Sequence, residues 1–267
     1  SHIVQMSSSQ GAPLPPGMDL KVREDGLAIL RMSIGPKGGN LFDPDFTKAL
    51  NEALTAVEED PKIRALVITS GGKYFSNGLN TKFLKNNPLG SPGMVVGVYR
   101  VLARLLVLGF PTIAAINGHC FGAGFFLALC CDYRIMTTDQ GLICLPELDL
   151  GMPLSPGFNA IAKCKLPKAA LRTTVLTSKR WTPQEAFATG ILDQLASGEQ
   201  LLSRASTLAV DVMGDARKRK RHVYSMLKME IYGECYETLT SWFILPRVVM
   251  TLIGMEMLRQ SNIRSKM

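Results

Sequence analysis

Chemistry-bearing residues gather in a few short stretches of the chain. In Ile116 to Ile135, INGHCFGAGFFLALCCDYRI, an apolar, β-favouring run ends at Asn117-Gly118, and Gly122-Ala123-Gly124 opens a helix-like apolar segment. Small residues let a ligand approach the backbone, and a helix start offers unpaired N–H groups to an anion. KYFSNGLN, Lys73 to Asn80, follows the strand-like run RALVITS, Arg64 to Ser70. Gly78 therefore falls at a strand's carboxyl end, where open α/β sheets gather their ligands. Two such loops could each aim one N–H at a single oxygen, which is an oxyanion hole. Nearby, LPELDLG (Leu145 to Gly151) supplies a lone acid, Glu147, and a competitor, Asp149. If that segment is extended, Asp149 shares the face of Glu147; if it turns, Asp149 diverges.

Other chemistries lack their residues. His2, His119 and His222 are the only histidines, and no serine or cysteine stands in a nucleophile-elbow pattern. A hydrolytic triad and a histidine-rich metal site are both disfavoured, and no metal is expected. The six cysteines, Cys120, Cys130, Cys131, Cys144, Cys164 and Cys235, form no CxxC pair. They read as small buried hydrophobes in a reducing compartment rather than as a disulfide framework.

The elements that must position these residues read as an α/β core with largely parallel pairing. Strand, loop, helix and strand repeat along the chain. Residues 1–19, with their SHIVQMSSSQGAPLPPGM run, are expected to be disordered, and Met6 offers a native start with Ser1 to Gln5 as an added leader. Residues 20–200 read as the core, its ordered structure beginning with the strand Leu27 to Ile34, and residues 201–267 read as a helical tail. Asp43 caps a helix with Pro44 at its first position, and Phe46, Leu50, Leu54 and Val57 share one face. Val95 to Phe110 reads as a buried helix, and Thr182, Pro183 and Glu185 form a capping box. With 46 % hydrophobic and 19 % charged residues the balance is globular. No apolar run reaches the roughly 18 residues of a membrane span.

The net charge of +8 suits an anionic partner. Its densest patch, Arg217 to His222, reads as a solvated helix face, a phosphate contact, or a nucleic-acid signal. No zinc-finger or RNP-type motif accompanies it, so no nucleic-acid partner is expected.

GKYFSNGLN, AAINGHCFGAGFFLALCCDYRI, LPELDLGMP and TPQEAFATGILDQL come in the order, and near the spacing, of the enoyl-CoA hydratase/isomerase (crotonase) family. The resemblance runs from about Leu27 to Leu195. It implies a crotonase-like ββα-repeat core with a C-terminal helical trimerisation region. It implies further that the N–H groups of Leu79 and Ala123 hold the thioester oxygen of an acyl-CoA as it becomes an enolate. Ser76, Asn77, Gly78, Asn80, Gly122, Gly124 and Phe126 would surround the substrate. Asn40 and Leu41 would lie near the adenine, with Lys37 and the basic run as phosphate contacts. Val98 and Leu102, on the helix from Val95, would line the acyl pocket or else simply pack the core.

Hydratases of this family use two glutamates. Glu147 matches the second, whereas the first position is occupied by Phe126. Adding water needs two acid/base groups; moving a double bond needs one, which takes a proton from C2 and returns it to C4. The chain therefore most resembles the single-glutamate Δ3-Δ2-enoyl-CoA isomerases. Dienoyl-CoA isomerases carry a further acid where this chain has Ser155, which argues against them. An apolar Phe126 should raise the pKa of Glu147 toward neutrality.

The resemblance thus implies an isomerase of unsaturated acyl chains in fatty acid β-oxidation. Coenzyme A would be part of the substrate, with no other cofactor. Tail helices of a neighbouring subunit complete the site in such proteins, within a homotrimer or dimer of trimers. Ser265-Lys266-Met267 differs in its last residue from a peroxisomal Ser-Lys-Leu address, implying an import receptor and a peroxisome or related organelle. Alternatives are another crotonase-type reaction, hydration included, or a silent acyl-CoA- or RNA-binding relative.

Overall fold

The computed structural model describes residues 14–35, 39–215, 219–241 and 243–264, the last ten of these as backbone alone. Nine strands are found among them, in chain order β1 (Met18–Val22), β2 (Leu27–Met32), β3 (Ala65–Ser70), β4 (Tyr74–Ser76), β5 (Thr112–Ile116), β6 (His119–Phe121), β7 (Tyr133–Thr137), β8 (Ile143–Cys144) and β9 (Gln194–Ala196). The helices are α1 (Pro44–Glu59), α2 (Thr81–Asn86), α3 (Ser91–Leu106), α4 (Ala123–Cys130), α5 (Pro156–Lys165), α6 (Lys168–Leu176), α7 (Pro183–Ala188), α8 (Leu201–Met213), α9 (Arg221–Thr240) and α10 (Ile244–Arg264).

Six strands form one sheet in the order β1-β2-β3-β5-β7-β9, antiparallel only between β1 and β2. Every residue of β3 and β5 is buried, as expected of parallel strands covered on both faces. On one face Ala205 and Ala209, one turn apart on α8, let that helix lie close over Val67, Ile113 and Ile135. The other face meets α1, α3, α4 and α5 in the larger core, where Phe46, Leu50, Leu54 and Leu102 are fully enclosed.

The helix starts follow the sequence expectations. The Asp43 side chain accepts from the N–H of Phe46, with Pro44 at the first position. Thr182 and Glu185 close both bonds of a capping box. Two charged pairs tie peripheral elements inward. Lys228 of α9 is buried with its Nζ 2.7 Å from Asp132, whose carboxylate also accepts from the N–H of Thr112 on β5. Arg134 pairs with Asp193 at 3.1 Å, joining β7 to the approach of β9.

Two expectations need correction. Ordered structure begins with β1 at Met18, not at Leu27, and the expected disorder of residues 1–19 therefore fails at its last residues; residues 1–13 lie outside the described set. β1 is half-exposed, with Asp19 and Lys21 facing out, and exists by pairing with β2. The stretches read as loops also contain β4 and β6, which join β8 in a second, three-stranded parallel sheet. Each is too short for its own periodicity, and the pairing creates them. Among the described residues no helix is long and apolar enough to cross a membrane.

Candidate active site

The second sheet sets the two loops side by side. Because β4 pairs in parallel with β6, the turn after β4 (Asn77 to Asn80) and the start of α4 (Gly122 onward) leave the same edge. Close backbone contact is essential here. A Cβ on Gly118 would stand 2.1 Å from the carbonyl oxygen of Lys73, and one on Gly78 would stand 2.9 Å from that of Phe121. Gly78 also holds φ at +82°, and Gly122 at +49°, where a side chain is strained.

Phe42 fixes the direction of the first loop. Its N–H donates to the carbonyl of Gly78 at 2.8 Å and its carbonyl accepts from the N–H of Asn80 at 2.8 Å. In such a parallel bridge the residue between, Leu79, turns its own N–H to the opposite side. That side faces α4, since the position of a Gly78 Cβ would be 3.4 Å from the nitrogen of Ala123. Ala123 is the first residue of α4, so its N–H has no helical acceptor. Among the described residues neither N–H finds a partner.

Glu147 reaches the same point from the turn after β8. The turn is closed by Leu150 N–H to Pro146 O at 3.0 Å and Met152 N–H to Glu147 O at 2.8 Å. A Cβ on Gly122 would lie 3.8 Å from Oε1 of Glu147 and 3.9 Å from the Cα of Gly78. The carboxylate thus overlooks the junction of the two loops. Its Oε2 is enclosed without a partner among the described residues. Burial pushes its pKa up to about 7, only partly opposed by its own backbone N–H. A carboxylate half-ionised at neutral pH, set beside two free N–H donors, can move a proton on a carbon next to a carbonyl whose oxygen those donors hold.

The turn also resolves the competitor. Asp149 is exposed and diverges, lying 4.0 Å from Arg180 while its N–H donates to Ser178 Oγ.

A cavity of about 40 Å³ opens beside Glu147. Its wall is Leu79, Leu84 and Val95 on one side, Met152 to Ser155 and Phe158 on another, and Val248, Thr251 and Leu252 of α10. Ser155 Oγ is hydrogen-bonded to the buried hydroxyl of Tyr99. α10 belongs to the same chain, and no feature of the sequence near Glu147 points to it.

Several expected contacts fall elsewhere. Asn40 is fully buried, donating to Ser70 Oγ at 2.9 Å and Phe75 O at 3.0 Å and accepting from Ile34 N–H, so its side chain is closed to an adenine. Leu41 is half-buried beside it, and Lys37 lies outside the described residues. Ser76 is fully buried, donating to Asn40 O at 2.7 Å; Gly124 packs directly on it. Both hold the loops together from behind. Asn77 is exposed, while Asn80 caps α2 through Phe83 N–H and donates to Asp43.

Phe126 is fully enclosed and does not line the cavity; its ring stacks on Phe158, which does. Val98 and Leu102 face the core, and Val95 is the residue of α3 that reaches the cavity. Of the basic run, Arg217 and Lys218 lie outside the described residues. Arg221 is structural, donating to the carbonyls of Glu58 and Asp60.

Comparison with known proteins converges on one group. Residues 23–240 match the family model described as enoyl-CoA hydratase/isomerase. A carnitinyl-CoA dehydratase of Salmonella arizonae is 34 % identical over 190 residues, covering 70 % of this chain and 72 % of the relative. Enoyl-CoA delta isomerase 3 of Arabidopsis thaliana is 32 % identical over 201 residues, covering 72 % and 84 %. The crystal structure of human mitochondrial delta3-delta2-enoyl-CoA isomerase superimposes with a TM-score of 0.80 over 94 % of this chain and 100 % of that one; at 22 % identity this speaks to the fold alone.

Proposed function

The chain belongs to the enoyl-CoA hydratase/isomerase (crotonase) family, and on that premise we propose that it is a Δ3-Δ2-enoyl-CoA isomerase. The observation that carries the reading is a single carboxylate at the loop junction, with a phenylalanine at the position of the family's other acid. Glu147, ionised, removes a proton from C2 of a 3-enoyl-CoA. The electron pair moves onto the thioester oxygen, held by the N–H groups of Leu79 and Ala123. The same carboxyl then gives the proton to C4, leaving the double bond between C2 and C3. A pKa of about 7 suits both halves, since the base must accept and return one proton. One donor to the enolate oxygen is worth roughly 3–4 kcal/mol of barrier.

The dehydratase similarity favours a second reading, in which water is added or lost. That reaction calls for another acid/base group, and the wall beside Glu147 is apolar but for hydroxyls such as that of Ser155. The two readings separate when purified protein is given 3-enoyl-CoA and, separately, 2-enoyl-CoA in water, with products followed by mass and absorbance. Rapid 3-to-2 conversion with negligible hydration is the expected result. Hydration at a matching rate would overturn it.

We place the reaction in fatty acid β-oxidation of unsaturated chains, with coenzyme A as part of the substrate and no further cofactor. A homotrimer or dimer of trimers is the proposed assembly; exposed Val223, Met226, Leu227 and Ile231 on α9 support a protein partner for that helix. Ser265-Lys266-Met267, outside the described residues, is the proposed peroxisomal address, and its deletion should leave the protein in the cytosol.

A further inference from the structure

Three arginines line one notch at the end of β3 opposite the loop that carries Leu79. Arg64 stands immediately before β3, and Gly109 to Pro111 lead into β5. Arg219, Arg221 and Tyr224 come from the start of α9 and its approach, and together these residues line a notch of about 10 Å³. The loop carrying Leu79 follows the opposite end of β3, so about 20 Å of strand lies between notch and active site.

Among the described residues Arg219 and Arg221 donate to neutral acceptors. Arg221 spends two N–H groups on the carbonyls of Glu58 and Asp60, at 2.7 and 2.8 Å, and rests its guanidinium over the Phe110 ring at 4.8 Å. Arg219 donates to the carbonyl of Val212. Among the described residues none of the three is in an ion pair, and the carboxylate of Glu58 is committed to Arg104 at 2.8 Å. Asp60 is the other acid that acts on Arg221, and one of its oxygens already accepts from the N–H of Lys62. Burial and then the neighbouring Arg64 disfavour the charge of Arg221, Glu58 and Asp60 offset part of this, and guanidinium keeps its proton in a protein, so a further anion would be welcomed here.

We propose that this notch is a second, non-catalytic anion site that takes a phosphate group. Planar guanidinium forks match phosphate oxygens two at a time, and they bind it more specifically than a lysine point charge. The notch is wide enough for one oxygen and too small for a sugar or base. A phosphomonoester tip, or free phosphate, seats an oxygen between Arg64 and Arg219 while the rest of the ligand stays in solvent. The bound anion bridges the N-terminal edge of the sheet to the start of α9. The site stands independently of the isomerase reading.

The test is residue-resolved protection of arginines from phenylglyoxal, read by peptide mass spectrometry on the whole protein. Inorganic phosphate and AMP are titrated separately at constant ionic strength set with chloride. Either ligand should slow modification of Arg64 and Arg219 at least fivefold and saturably, while exposed Arg100 on α3 reacts unchanged. Equal affinity for the two would identify phosphate itself as the ligand; tighter AMP would identify a nucleotide. Arg64→Gln should weaken phosphate binding about tenfold, the loss expected for one charge-assisted contact, with catalysis unaltered. Should that variant fail to fold, Arg219→Gln replaces it, and the wild-type protection pattern decides alone. Phosphate that protects neither Arg64 nor Arg219, or that protects Arg100 to the same degree, overturns the proposal.

Discussion

The rings of Phe126 and Phe158 stack at a centroid distance of 4.6 Å with their planes 14° apart. Phe126 comes from α4, the helix whose first N–H faces Glu147, and Phe158 from α5, which lines the cavity. Phe158 also meets Tyr99 edge-on at 5.0 Å. The pair closes an apolar wall behind the carboxylate. It places no second carboxylate beside Glu147 among the described lining residues, and burial raises the Glu147 pKa.

Phe158→Ala should therefore be felt twice. Removing a nearly enclosed aromatic ring costs about 3–5 kcal/mol of stability, measurable as a lower urea midpoint at unchanged m. The enlarged cavity should also shift relative kcat/KM toward bulkier acyl chains. A midpoint within error of the wild type would show that the ring is not part of the packed wall.

Glu147 acts as a base only when ionised. The log of kcat/KM for isomerisation should rise with pH and level off above about pH 7, the value to which burial lifts this group. Glu147→Gln should lose at least about a thousandfold in kcat, since its amide cannot take the proton, while binding of the CoA ester stays within a few-fold. Near-complete retention of turnover would assign the proton transfer elsewhere.

The same shift predicts a stability effect with a definite sign. The folded carboxyl holds its proton up to about pH 7, whereas the unfolded one releases it near 4.5. Folding therefore binds a proton between those values, and stability contributed by this group is present below pH 4.5 and lost as pH rises to about 7. Glu147→Gln removes that loss. The variant should match the wild type near pH 4 and exceed it by up to about 3 kcal/mol at pH 8, the range spanned by such a shift. Chemical denaturation at both pH values checks this, and a gap that does not widen with pH would contradict the buried-carboxylate account.

Gly124 and Gly122 should separate activity from stability. A Cβ on Gly124 would meet Ser76 Cβ at 2.5 Å and its carbonyl oxygen at 2.6 Å, forcing the two loops apart. Gly124→Ala should drop kcat about a hundredfold by misaiming the Ala123 N–H. Adding Ser76→Gly should not restore it, because the carbonyl remains. Gly122→Ala sets its methyl at ordinary contact distance, 3.8 Å from Glu147 Oε1, but carries a positive φ, so its main effect should be about 1–3 kcal/mol of stability. Steady-state kinetics and thermal unfolding on the same preparations would expose a reversal.

Local signals were the legible ones in the sequence. Asp43-Pro44 and Thr182 with Glu185 declare helix starts within a few residues, and the structure realises both. Glu147 and the two glycine loops are short motifs, so their approach could be anticipated. Strands β4 and β6 were hidden because such short segments show no period, and only mutual pairing makes them strands. Asn40 misled for the opposite reason. The family resemblance implied an adenine contact there, yet the Asn40 amide is spent joining separate segments.

That α10 supplies Val248, Thr251 and Leu252 to the cavity bears on how the protein is born. Leu79, Ala123 and Glu147 leave the ribosome before the helix that closes the cavity. A growing chain can pair its strands and bring the carboxylate over the glycine loops while the pocket still lacks one wall. The pocket is therefore completed only once α10 has been made and has packed. A nonsense codon before Ile244 would release a chain that holds the glycine loops and Glu147 but lacks the α10 wall of the cavity.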